Sequence, residues 1–432
     1  MMSLGRRSAA LFAVAALLLS GCGGGGDGGG DGGGNQAGGA ETTTIEWWHI
    51  QNIEPMLPVW DAMAREYEKA HPNVKINITP IENEAFKAKL TTVTQSGEAP
   101  DLFQTWGGGV LDQQVQAGLV KDLTADVAAW PSPLLPLAVQ PYQIGGKTYG
   151  VPYDIGMVGF WYNKALFAKA GIDEPPATWA EFLDDVKALK DAGITPIALA
   201  GNAKWPGHYY WAYLAMRVGG LEALKQAAET KSFENPDFVA AGQQLKQLVD
   251  LQPFQTGFLG AAYETPDGQA AAVGNGKAAM ELMGQWAPTV QRDAAKDLGD
   301  DLGFFPFPAV EGGKGTATEA FGGGGGFAVG ADAPPATVDF LKYITSVENQ
   351  RRSVETGAFL PVVQGAEDAI KDARAKVVAE NLAGATGFQL YLDQAYPPAV
   401  GQQVNDSVAE LIAGSKTAEQ VTADITQTAK SE

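Results

Sequence analysis

The alternation of apolar and polar positions sets in at residue 43. Residues 43–48, Thr-Thr-Ile-Glu-Trp-Trp, are β-rich and predict a first strand. Residues 58–70 carry Val59, Met63 and Tyr67 at helical spacing, and Pro72 ends the segment. Residues 74–78 alternate and predict a second strand, 86–96 a helix that stops at Gly97, and 101–106 a third strand. Gly107, Gly108, Gly109 and a further helix follow. Strand–helix–strand order predicts an α/β domain with a largely parallel sheet. Ligands of such sheets sit beyond the carboxyl ends of the strands. His49, Gln51 and Trp106 fall at or just past such ends.

A second region follows Val151-Pro152-Tyr153-Asp154. Here 157–162 predicts a strand and 163–170 a short helix closed by Gly171. Thr178 and Glu181 form a capping box that opens a helix over 179–192. A short strand at 196–199, an aromatic-rich helix from Trp205 to Arg217 and a helix over 238–251 come next. Residues 268–276 predict a helix feeding a strand at 278–283, which ends at Gly284-Gln285-Trp286. A strand at 327–329 follows the glycine run 322–326, and helices are expected to fill most of the remainder. The run has no following Lys-Ser/Thr, so it does not read as a phosphate cradle. Close backbone approach to a ligand, or loop flexibility, accounts for it.

Ahead of residue 42 the pattern changes. Arg6 and Arg7 precede the apolar run 9–19, which is shorter than the roughly 20 residues that span a bilayer. It fits a secretory signal ending at Leu19-Ser20-Gly21-Cys22. Small residues before the chain's single cysteine resemble a bacterial lipobox, with cleavage before Cys22 and lipidation of its thiol. Removing 1–21 takes away two arginines and no acid, moving the net charge from −20 to −22. Residues 23–40 are mostly glycine and predict a flexible tether. A tether of that length has a root-mean-square reach of about 23 Å, which suits a body kept near a membrane machine.

Composition narrows the chemistry. The chain has 432 residues, 30 Lys and Arg, 50 Asp and Glu, one Cys and three His. Such acidity excludes a broad electrostatic footprint for nucleic acid. One cysteine excludes a disulfide framework and Cys-based zinc clusters, and the dispersed His49, His71 and His208 speak against a His-rich metal site. No metal and no cofactor are expected.

Several segments together carry a family resemblance. They are Pro100-Asp101-Leu102-Phe103, Ala117-Gly118-Leu119-Val120-Lys121-Asp122-Leu123, Gly150-Val151-Pro152-Tyr153-Asp154, Tyr162-Asn163-Lys164, Thr178-Trp179-Ala180-Glu181-Phe182, Gly274-Asn275-Gly276-Lys277-Ala278-Ala279-Met280 and Gly284-Gln285-Trp286. In this order, behind a lipobox, they resemble the extracellular solute-binding proteins of carbohydrate ABC importers, the family that includes maltose-binding protein. The Trp47-Trp48-His49 start and the run 322–326 look more like the actinobacterial lipoproteins for xylobiose, cellobiose or chitobiose. The resemblance implies an α/β, two-lobed periplasmic-binding-protein-like fold with a hinge and an interlobe ligand cleft. We assign 42–153 plus 320–375 to lobe 1 and 154–319 plus 376–432 to lobe 2. Chain crossings are expected near Pro152 and Ile155, near Thr316 and Phe321, and near residue 375. The implied partners are an oligosaccharide, the membrane permease subunits and a cytoplasmic ATPase. A monomer, lipid-anchored outside the cytoplasm through Cys22, is expected.

A pyranose offers an apolar C–H face to aromatic rings and a hydroxyl edge to charged or amide groups. Trp286, after Gly-Gln at a strand end, matches the family position that stacks on sugar. Trp106, also past a strand, is a second plate. Tyr209 aligns with a family stacking tyrosine, and Trp205 and His208 are close enough in sequence to share its wall. Tyr210, Trp211 and Tyr213 are assigned to the core. Tyr391 is a further plate, from a region expected to be helical. Asp154, at the expected hinge, is the polar group expected to accept sugar hydroxyls, with structural capping as the alternative. His49 and Gln51 are placed to reach a ligand past the first strand.

No Gly-x-Ser-x-Gly or His-Glu-x-x-His element appears, so the expectation is a non-enzymatic receptor. Xylo-oligosaccharide ranks ahead of cello- or chito-oligosaccharide on overall resemblance. The alternatives are a polyol, polyamine or peptide as ligand, or a secreted glycoside hydrolase, which needs only two carboxylates.

Overall fold

The strand Thr43–His49 turns Ile45, Trp47 and His49 to one buried face, the period-2 pattern expected of a strand. The structure, a computed structural model, describes residues 42–432. The expected signal, Cys22 and the tether lie outside the described residues. Thr43–His49 pairs in parallel with Val74–Pro80 on one side and Leu102–Thr105 on the other. Gly326–Val329 and then Val151–Pro152 extend this sheet in the antiparallel sense. The sheet is therefore mixed where a largely parallel one was expected. The helix Met56–Ala70 lays Trp60, Met63, Ala64 and Tyr67 on it, which is the face that the Val59, Met63, Tyr67 spacing indicated.

The second lobe holds two sheets. One runs Leu302–Phe305, Gly159–Asn163, Ala278–Met283, Thr195–Ile197, and the other Gly387–Leu390, Glu319–Gly323, Gly156–Met157. The single strand expected over 157–162 is thus two strands that feed different sheets. The helix Trp205–Gly219 is buried along nearly its whole length. The Thr178 capping box forms: Glu181 N–H donates to Thr178 Oγ1 at 3.2 Å and Thr178 N–H to Glu181 Oε2 at 3.0 Å. Gly387–Leu390 interrupts the expected run of C-terminal helices. At four residues, each half-buried, it has no alternation to betray it.

Strand pairing fixes where the chain passes between the sheets. The first passage, between Val151–Pro152 and Gly156–Met157, lies where it was expected. The second runs through Gly324 and Gly325, past the expected stretch, because Glu319–Gly323 pairs with Gly387–Leu390 and Gly156–Met157 rather than with the first sheet. Residues 320–323 therefore sit with the second lobe. The third follows residues 367–369: 362–365 stay bonded to 133–135 and to the helix Val347–Glu355, whereas Ala373–Ala383 packs on Leu302–Phe305 and Gly156–Met157, close to residue 375.

The glycine run follows from crowding at the second passage. A Cβ would lie 2.2 Å from the Gly156 carbonyl oxygen on Gly322, 1.9 Å from the Asp154 carbonyl oxygen on Gly324, and 2.0 Å from the Tyr153 hydroxyl on Gly325. The close approach is to the protein's own backbone and rings.

Candidate functional site

The strand ends and the first two passages enclose a cavity of about 150 Å³. Gln51 follows the first strand, Gln104 and Trp106 end the third, and Gln285 and Trp286 follow Ala278–Met283; all five line the cavity. These passages add Tyr153, Asp154, Gly324 and Gly325, and the first-lobe core adds Phe359. Trp205 and Tyr209 reach it from one face of their helix, being four residues apart. Tyr391 enters just after Gly387–Leu390.

The rings form a connected wall. Tyr209 and Tyr391 stack with centroids 5.5 Å apart and planes at 22°. Tyr391 meets Trp286 edge-on at 6.3 Å. Trp205 lies 5.5 Å from both Tyr209 and Tyr263. Trp286 folds back over Gly284, where a Cβ would come within 2.1 Å of its ring. Trp161 Nε1–H donates to the Gly284 carbonyl at 2.9 Å and pins that turn.

Between the rings are polar atoms with no hydrogen-bond partner among the described residues. They are Gln104 Nε2, Gln285 Oε1 and the hydroxyls of Tyr263 and Tyr391. All four side chains line the cavity and are buried. Buried polar groups are nearly always bonded, so four exceptions around one cavity ask for an outside partner. Their other atoms are committed. Tyr153 O–H donates to Gln104 Oε1 at 2.7 Å, which leaves the Gln104 amide nitrogen as its unpartnered end.

Asp154 is a wall of the cavity and also a strut. Its Oδ1 accepts from Leu360 N–H at 2.8 Å and its Oδ2 from Gln285 Nε2 at 2.5 Å. Burial pushes its carboxyl well above the usual carboxylate range, against the pull of these donors. The expected role of accepting sugar hydroxyls is thereby narrowed, since each oxygen already holds a protein donor. Glu264 also faces the cavity. Burial first, then Glu82, Asp293 and Glu84, push it up to about 7.

Seven residues singled out from the sequence line the cavity: Gln51, Trp106, Asp154, Trp205, Tyr209, Trp286 and Tyr391. His49 and His208 do not; both are fully buried elsewhere. His49 shares the inward face of its strand with Ile45 and Trp47 and sits 4.8 Å from the rings of both Trp47 and Trp60. Strand parity, legible in the sequence, already sends it to the core. His208 lies one residue off the Trp205 and Tyr209 face, edge-on to Tyr209 and Phe321. Burial pushes it down to about 4, so it packs as a neutral ring. The sequence reading missed Lys87, Gln104, Tyr263, Glu264 and Gln285. Gln285, wedged between Gly284 and Trp286, carried a signal; the others lie in segments with no local mark.

Among the described residues no group of three or more His, Cys, Asp or Glu side chains is placed to hold a metal. The chemistry on offer is aromatic faces and hydrogen-bonding edges around a partly closed space. Two lobes with such a cleft between them define a receptor for a small polar solute. The sequence profile of the bacterial extracellular solute-binding proteins matches residues 52–351, and the chain belongs to that family. An uncharacterised ABC transporter extracellular-binding protein of Pyrococcus horikoshii is 30% identical over 264 residues, 58% of this chain and 57% of that one. The chain thus spans little more than half the length of this curated relative. A solved structure concerned with xylan utilization by the thermophilic bacterium Caldanaerobius polysaccharolyticus is 30% identical, with a TM-score of 0.82 over 89% of this chain and 99% of its own. A chitin oligosaccharide binding protein is 25% identical, with a TM-score of 0.83 over 90% and 98%.

Proposed function

We propose that this chain captures a small oligosaccharide for an ABC importer and delivers it to the membrane permease, a cytoplasmic ATPase driving uptake. The observation that carries this reading is that stacked rings and unpartnered polar atoms line one cavity. That combination matches the two chemical faces of a pyranose. Xylo-oligosaccharide is the favoured ligand, with chito- or cello-oligosaccharide next. The likeness to a xylan-utilization structure and to a chitin oligosaccharide receptor supports this ranking. The ligand biases a hinge equilibrium by binding the closed form better. The protein acts as a non-catalytic monomer, held outside the cytoplasm through a lipid on Cys22.

A thermal-shift and calorimetric screen tests the reading. Xylobiose, cellobiose and chitobiose are the sugar arms, and spermidine and a tripeptide the others. Mass action raises stability for the true ligand, so a rise with at least one of the three disaccharides is expected. A rise with spermidine or the peptide alone overturns the sugar assignment.

A further inference from the structure

Lys87 is the one lysine or arginine that lines the cavity among the described residues. It stands on the helix Asn83–Ser96, whose Phe86 and Leu90 belong to a core of the first lobe. Its ammonium nitrogen lies 3.6 Å from Asp393 Oδ2. Asp393 belongs to Leu392–Ala395, which directly follows a strand of the second lobe. The same nitrogen lies 5.7 Å from the ring of Trp106, on the first lobe, and 5.9 Å from that of Trp205, on the second. Both distances are within cation–π range. Its other acidic neighbour is Glu84, at 3.6 Å on its own helix. Asp393 is 9% exposed and Lys87 29%, so the pair is far better shielded than a surface ion pair. Asn405 Nδ2 donates to Asp393 Oδ2 at only 3.4 Å, which leaves Lys87 as the principal partner of that charge.

The lobes also meet closely beside this pair. A Cβ on Gly108 would lie 2.3 Å from the Gln394 carbonyl oxygen, and one on Gly109 2.4 Å from the Tyr396 carbonyl carbon. Backbone from the first lobe therefore rests on the segment that carries Asp393. An ion pair seated at such a seam is made when the lobes meet and broken when they part. Because Lys87 also faces the cavity between two aromatic plates, one side chain touches both the ligand space and the opposite lobe.

We infer that Lys87 is a positioning residue that couples occupancy of the cleft to lobe closure through Asp393. This rests on the reading of the cleft as an oligosaccharide site. Breaking the pair strands a shielded carboxylate, and such losses fall mainly on dissociation rates.

The test is a double-mutant cycle of K87M, D393N and the pair, with K87R as the conservative variant, all in the full chain. Small-angle scattering without ligand reads the lobe separation; stopped-flow titration with xylobiose, cellobiose and chitobiose reads rates. Each single variant is expected to have a larger radius of gyration than wild type. Each is also expected to lose about tenfold in affinity, chiefly through faster dissociation. The double variant should lose less than the sum of the singles, and K87R should stay near wild type. Additive losses with unchanged scattering overturn the clamp while leaving the sugar reading intact. Opening of the single variants in a chain that binds none of the three disaccharides has the reverse meaning: the clamp stands and the sugar reading falls.

Discussion

Gln285 Nε2 donates to Asp154 Oδ2 at 2.5 Å across a separation of 131 residues. The other oxygen of the same carboxyl accepts from Leu360 N–H. Three segments that lie far apart in the chain are thus tied at one buried point beside the first passage between lobes. Removing the carboxyl leaves a backbone N–H and an amide without partners. Asp154→Ala is therefore expected to lower unfolding free energy by roughly 2–4 kcal/mol. Urea titration measures this, and a loss below 1 kcal/mol would show that the tie is slack.

Trp286 is held over Gly284 and edge-on to Tyr391. Trp286→Ala removes a large apolar face from the cleft, and is expected to weaken oligosaccharide binding roughly 10–100-fold. Calorimetry checks it. Unchanged affinity would mean that the ring packs for the fold alone.

The Tyr391 hydroxyl has no hydrogen-bond partner among the described residues, while its ring stacks on Tyr209. Tyr391→Phe keeps the ring and deletes only the hydroxyl. Stability is expected to stay within about 0.5 kcal/mol of wild type. Affinity is expected to fall by about 1 kcal/mol, roughly fivefold. A drop in stability without a change in affinity would assign the hydroxyl to the fold.

Glu281 is fully buried in the strand Ala278–Met283 and accepts from Gln269 Nε2 and Gln291 Nε2 at 2.8 and 2.6 Å. Burial outweighs these donors and pushes its carboxyl from 4.5 up to about 7. A raised folded-state value means that the native chain holds a proton the unfolded chain has lost. The associated stability is fully present below about pH 4.5 and is lost as pH rises through about 7. The loss is on the order of 3 kcal/mol. Glu281→Gln should remove this slope, because Gln291 Oε1 is free to accept from the new amide. Denaturation between pH 5 and 8 tests it; an unchanged slope would place the proton elsewhere.

Gly324 marks the second passage, where a Cβ would overlap the Asp154 carbonyl oxygen. Gly324→Ala is expected to cost about 1–3 kcal/mol, as overpacking does. Differential scanning calorimetry reads the fall in Tm. An unshifted Tm would mean the passage has room that the packing does not suggest.

Much of this arrangement was legible locally. Parity along Thr43–His49 and the spacing of Val59, Met63 and Tyr67 specify their faces, because a side chain's direction follows from the period of its element. Trp106 and Trp286 were found because they follow strands, where open α/β sheets leave room for ligands. The glycines at 322–326 read as approach to a ligand or as loop flexibility, whereas what crowds them is the protein's own backbone and rings. Gln104 carried no such mark: a glutamine inside a buried strand reads as a misfit until Tyr153 O–H supplies its partner.

The sequence by itself determined most of the elements and their order, the aromatic supply at the strand ends and the α/β class, since each depends on neighbours within a few residues. Only the tertiary structure decided which rings face the cleft, that His208 is interior, and that Asp154 braces Leu360 and Gln285. It also decided that Lys87 meets Asp393. Those outcomes depend on contacts between residues tens to hundreds of positions apart, which no local period encodes.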